Sequence, residues 1–168
     1  KESQKKVEER LANQTQDGDV FYNIEYSGLD LAGNRYILKS KEAINNKTNE
    51  EIIKMKFVEA NFFFKDDTIL RVKSDNGIYN NKTLDMTFVD NVEAFYEGNE
   101  LFALKAEYSN SKSFLNITGN VKVKSNQGTM VADSLLFDIK KQTLNIASLD
   151  NDKINASINL KWKKDLEF

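Results

Sequence analysis

The sequence predicts an all-β fold on three observations. Apolar and polar residues alternate with period two from Asp19 onward, turn residues separate the alternating runs, and a 29-residue unit repeats. Val20, Tyr22, Ile24 and Tyr26 alternate with Phe21, Asn23 and Glu25, the pattern of a strand with one buried face. Ser27-Gly28-Leu29-Asp30 and Ala32-Gly33-Asn34 then supply turn chemistry before a second strand at Tyr36-Ile37-Leu38. Ile53, Met55 and Phe57 alternate with Lys54 and Lys56. Leu115, Ile117, Val121 and Val123 share one parity against Asn116, Thr118, Asn120, Lys122 and Lys124. Ile154, Ala156, Ile158, Leu160 and Trp162 alternate with Asn155, Ser157, Asn159, Lys161 and Lys163. Asn80-Asn81-Lys82, Gly98-Asn99, Asn126-Gln127-Gly128 and Asp150-Asn151-Asp152 read as turns. Residues 1–18 differ. Charge and amide dominate there, and Val7 with Leu11 makes too narrow a stripe to hold a helix on a core. They read as a tether or linker before a single domain over 19–168.

The repeat is carried by several independent columns. Tyr79, Tyr108 and Phe137 are 29 residues apart, as are Val72, Leu101 and Met130, and Ser74, Ala103 and Ala132. The same step relates Met86, Leu115 and Leu144, then Phe88, Ile117 and Ile146, and Asn91-Val92 with Asn120-Val121. A weaker earlier copy spans Ser40 to Phe63, with Phe57-Val58-Glu59 echoing Phe88-Val89-Asp90. Such a unit holds two strands of about ten residues and two turns. Each repeat buries its apolar face only against its neighbours, so the end strands offer unpaired backbone groups to another chain. Asp90 stands where Gly119 stands one unit later, so a different backbone turn is expected there.

Composition narrows the chemistry. The 168 residues contain no Cys, His or Pro, which excludes disulfides, nitrogen- or sulfur-ligated metals, and Ser-His or Cys-His nucleophiles. A net charge of −2 provides no field for nucleic acid. No run of 18 apolar residues is present, so this stretch of chain does not span a membrane as a helix. The chain starts with Lys, and an upstream signal or anchor is expected. Asp66-Asp67 and Asp150/Asp152 sit in polar turns, where a catalytic dyad would lack the burial it needs. No cofactor, metal site or enzymatic activity is expected.

Two stretches resemble a known family. Tyr22-Asn23-Ile24-Glu25-Tyr26-Ser27-Gly28-Leu29-Asp30, followed by Gly33-Asn34-Arg35-Tyr36-Ile37-Leu38-Lys39-Ser40, is similar to the opening of LptC, a component of lipopolysaccharide export. The unit from Ala103 to Val121, and Ala132-Asp133-Ser134-Leu135-Leu136-Phe137-Asp138 after it, resembles the OstA-type repeat shared by LptC and LptA. The resemblance implies an antiparallel β-jellyroll, open like a taco, with a hydrophobic groove for acyl chains. It implies a periplasmic domain anchored in the inner membrane by an upstream helix absent from this sequence. Such a domain receives lipopolysaccharide from the LptBFG transporter and passes it to LptA by edge-to-edge strand pairing. Under this reading the groove wall comprises Phe57, Met86, Phe88, Leu115, Ile117, Val121, Val123, Phe137, Leu144 and Ile146. The docking edges comprise Tyr22, Ile24 and Tyr26 at one end and Ile158 and Leu160 at the other. A soluble LptA-like bridge and an edge-polymerising structural repeat without lipid are the alternatives.

Overall fold

In the computed structural model of the chain, residues 18–147 and the backbone of 156–159 are described. The tether residues 1–17 and the edge residue Leu160 lie outside them, and for Ile158 the backbone alone is described. Gly18, assigned to the tether from sequence, is buried beside Asn45 and belongs to the domain.

Ten strands form one antiparallel sheet: β1 (Val20–Leu29), β2 (Arg35–Asn45), β3 (Ile52–Phe63), β4 (Ile69–Asn80), β5 (Met86–Tyr96), β6 (Asn99–Ser109), β7 (Phe114–Ser125), β8 (Gly128–Asp138), β9 (Thr143–Ala147) and β10 (Ala156–Asn159). Spatial order equals chain order, so the connectivity is a meander. The β5–β6 hairpin turns on Glu97 and Gly98, both at positive φ (48° and 77°), as a two-residue turn matching strand twist requires. Among the described residues there is no helix, and so none long and apolar enough to cross a membrane.

A crease runs across the sheet half-way along the strands. The paired registers break at Asn23, Lys41, Phe57, Asp75, Asp90-Asn91, Leu104, Gly119-Asn120 and Asp133. Asn23, Phe57, Asp90, Asn91, Gly119 and Asn120 have left-handed backbones there (φ 49–87°), which bends each odd strand sharply. The first leaf holds 24–29, 35–40, 58–63, 69–74, 92–96, 99–103, 121–125 and 128–132, and the second holds the other half-strands. The leaves close on one another. Tyr36 and Phe62 of the first meet Tyr108 of the second at ring distances of 6.4 and 5.0 Å. Phe64, just past β3, meets Phe137 at 6.4 Å. This is the open, folded-over jellyroll form that the resemblance implies.

The repeat columns become continuous rows of the core. Tyr79, Met86, Tyr108, Leu115, Phe137 and Leu144 are successive cross-strand partners on β4 to β9, all buried. Val72, Ala94, Leu101, Val123 and Met130 form the corresponding row of the first leaf. A 29-residue step advances two strands and returns to the same height, which is why it conserves side-chain size. Backbone hydrogen bonding supplies the ladder, and burial of these rows supplies the driving force for closure.

The crease corrects four sequence expectations. In β3 the left-handed Phe57 turns the strand over without shifting its register, so burial switches from Ile53 and Met55 to Val58, Ala60 and Phe62. Phe57 is therefore outside, 56% exposed under the Lys41 ammonium, and lines no groove. In β1 the same switch at Asn23 puts Tyr22 opposite Glu42, on the face opposite to Ile24 and Tyr26. Phe57-Val58-Glu59 corresponds in place to Asn91-Val92-Glu93, not to Phe88-Val89-Asp90, because Phe57 is the crease residue of its strand. Asp90 (φ 66°) turns as Gly119 (φ 87°) does, since Asp tolerates the left-handed region. A Phe does so poorly, at about 1–2 kcal/mol, whereas its exposed cation–π contact returns about 0.5 kcal/mol. Phe57→Asn should therefore raise unfolding stability by about 0.5–1 kcal/mol in urea titrations.

Candidate functional site

Between the leaves, toward the β5–β8 end, lies a cavity of about 190 Å³. Its walls are Leu70, Ala94, Leu101, Val123 and Met130 from the first leaf, with Leu115, Ile117, Phe137 and Leu144 from the second. Asn99, Ser125, Gln127 and Thr129 border it near the β5–β6 and β7–β8 turns, and among the described residues no charged side chain lines it. A void of about 150 Å³ with such walls stays dry and takes up apolar guests. The site therefore favours hydrocarbon over any polar ligand.

Five of the residues proposed from sequence meet at this cavity: Leu115, Ile117, Val123, Phe137 and Leu144. Met86, Phe88, Val121 and Ile146 are buried in the surrounding core and do not reach it. Leu70, Ala94, Leu101 and Met130 complete the wall, and the repeat columns already contained Leu101 and Met130. The edge residues Ile24 and Tyr26 pack against the core, with Tyr26 at 5.0 Å from the Tyr79 ring.

A polar latch joins the two lips beside the cavity. Gln142, in the β8–β9 turn, is buried and donates from Nε2 to Tyr96 Oη (2.7 Å), Thr68 Oγ1 (3.3 Å) and Asp66 Oδ2 (3.3 Å). Thr68 in turn donates from its backbone N and its hydroxyl to Asp66 Oδ1, at 3.2 and 2.6 Å. Tyr96 both lines the cavity and stacks edge-on against Phe64 and Phe137. Asp66 is thus an acceptor in a structural latch, which accounts for one of the two acidic turns. Among the described residues no cluster suited to a metal ion occurs. Sequence reasoning missed the latch because Gln142 lies 46 to 76 residues from its partners and meets them only when the leaves close.

The residues of the opening motif act on the backbone. Asp30 accepts from the backbone N of Asn34 (2.7 Å) and from its side-chain amide (2.9 Å), closing the β1–β2 turn with Gly33 at φ 84°. Gly28 lies directly opposite Tyr36, and any Cβ there would overlap that ring. The ring's hydroxyl then reaches Tyr79 Oη at 3.0 Å.

Burial raises the phenols of Tyr26, Tyr36, Tyr79, Tyr96 and Tyr108 above their ordinary 10.0. The native state thus holds these protons more tightly than the unfolded chain does. Their contribution to stability is complete below about pH 10 and is lost as pH rises beyond it. Thermal midpoints should be level from about pH 7 to 9 and fall above pH 10, as phenolate absorbance rises.

Comparison of the chain with family models and with curated proteins finds no match to either.

Proposed function

We propose that this domain is a non-catalytic carrier of acyl-chain amphiphiles, acting as an LptC-like relay for lipopolysaccharide in the periplasm. In this reading it receives lipid from the LptBFG inner-membrane transporter, holds acyl chains between its leaves, and passes them to LptA. An upstream helix anchors it in the inner membrane. The observation that carries the reading is the uncharged, hydrocarbon-walled cavity between two leaves that meet along a mouth. Each methylene entering it from water contributes about 0.8 kcal/mol, so a few suffice for selective uptake. At about 190 Å³ the cavity takes only part of one chain, and a multi-chain lipid requires the lips to separate. Separation there breaks the Gln142 hydrogen bonds and the Tyr96–Phe137 ring contact. Sheet edges provide the route to partners, with β1 and β10 at the two ends of the described sheet.

Displacement of an environment-sensitive fluorescent fatty acid tests this proposal. Saturable emission enhancement that lipopolysaccharide reverses competitively is expected. Linear, non-competable partitioning would contradict a carrier role.

A further inference from the structure

The outer face of the first leaf carries a ladder of alternating charge. Glu25, Lys39, Glu59, Lys73 and Glu93 are direct cross-strand partners in turn on β1 to β5. The Lys73–Glu59 pair closes to 3.8 Å. Opposite charges directly across a sheet favour that register, and like charges disfavour it. At β1 the ladder ends on a negative charge. Glu25 is exposed, and among the described residues it forms no ion pair and no strand pairs with β1 on its far side.

Among the described residues nothing covers that edge. Natural edges are blunted by Lys, Pro, bulges or inward charges. Between Val20 and Leu29 there is no Lys, Arg or Pro, and the bend at Asn23 leaves 24–29 continuous. Ile24 and Tyr26 face the core side, while Glu25 and Ser27 are exposed on the outer side.

We propose that β1 accepts a partner strand that sets a Lys or Arg opposite Glu25 and apolar side chains beside Ile24 and Tyr26. The ladder is thereby continued by one step. This rests on β1 being a docking edge and adds the chemistry by which it selects what docks. A partner strand with an acid at that position, or shifted by one residue, meets repulsion or turns its apolar side outward.

The test uses the full chain and two labelled seven-residue peptides, with Val at alternate positions, that differ only in a central Lys or Glu. Fluorescence anisotropy should show the Lys peptide binding about fivefold more tightly than its Glu twin. Glu25→Lys should reverse the preference and Glu25→Gln should level it, circular dichroism confirming that both variants fold. Equal binding of both peptides to the unaltered chain would overturn the charge rule while leaving strand addition standing. Binding of neither would overturn the docking edge itself.

Discussion

Phe88→Ala should lower unfolding stability by about 4 kcal/mol, near the upper end for loss of a buried aromatic. Phe88 is fully buried, and its cross-strand partners in the same row are Gly77 on β4 and Ala106 on β6. Neither neighbour has bulk to move into the space left behind. A Cβ at Gly77 would come within 2.8 Å of Val58 Cγ2, so that side is already filled at backbone level. The void therefore persists, and its cost adds to the lost transfer energy. For a domain of this size the thermal midpoint should fall by roughly 8–16 °C in calorimetry. Since Phe88 does not line the cavity, fatty-acid uptake by the folded variant should be unchanged.

Ala94→Phe should have the opposite profile. Ala94 lies in the first-leaf row between Val72 and Leu101 and lines the cavity. A ring there occupies much of the about 190 Å³ that an acyl chain would take. Burying it in an existing void costs little and gains up to about 1 kcal/mol, whereas the same ring in a filled core would cost 1–3 kcal/mol. Fatty-acid affinity should drop at least tenfold with folding intact. Together the two variants separate the core that holds the leaves from the space between them.

Much of the fold is legible in the sequence because sheets write their inward face with period two and this sheet writes its repeat with period 29. The columns Tyr79/Tyr108/Phe137, Met86/Leu115/Leu144 and Val72/Leu101/Met130 are read from the repeat, and the strand registers join them into rows. The crease is less legible. β5 and β7 have two left-handed residues there, Asp90-Asn91 and Gly119-Asn120, opposite one residue of the next strand, so parity survives and Leu115, Ile117, Val121 and Val123 share one face as the alternation predicts. β1 and β3 have one such residue, Asn23 and Phe57, with no shift of register, so parity flips and Tyr22 and Phe57 lie on the side opposite to the one the alternation predicts. No local residue pattern distinguishes Phe57 as a left-handed position, since Phe has no preference for it. The latch of Asp66, Thr68, Tyr96 and Gln142 was illegible for another reason. It depends on which turns meet when the leaves close, and that pairing is a property of the folded sheet.

The central claim, a lipid held between the leaves, is tested most directly by photo-crosslinking in cells. A photoreactive side chain would replace Ile117 or Val123, which line the cavity, or Lys122, which is exposed between Val121 and Val123. Lipid adducts at Ile117 and Val123 but not at Lys122 are the predicted result. Folded protein with no adduct at either inner position, or with equal labelling at all three, would contradict it.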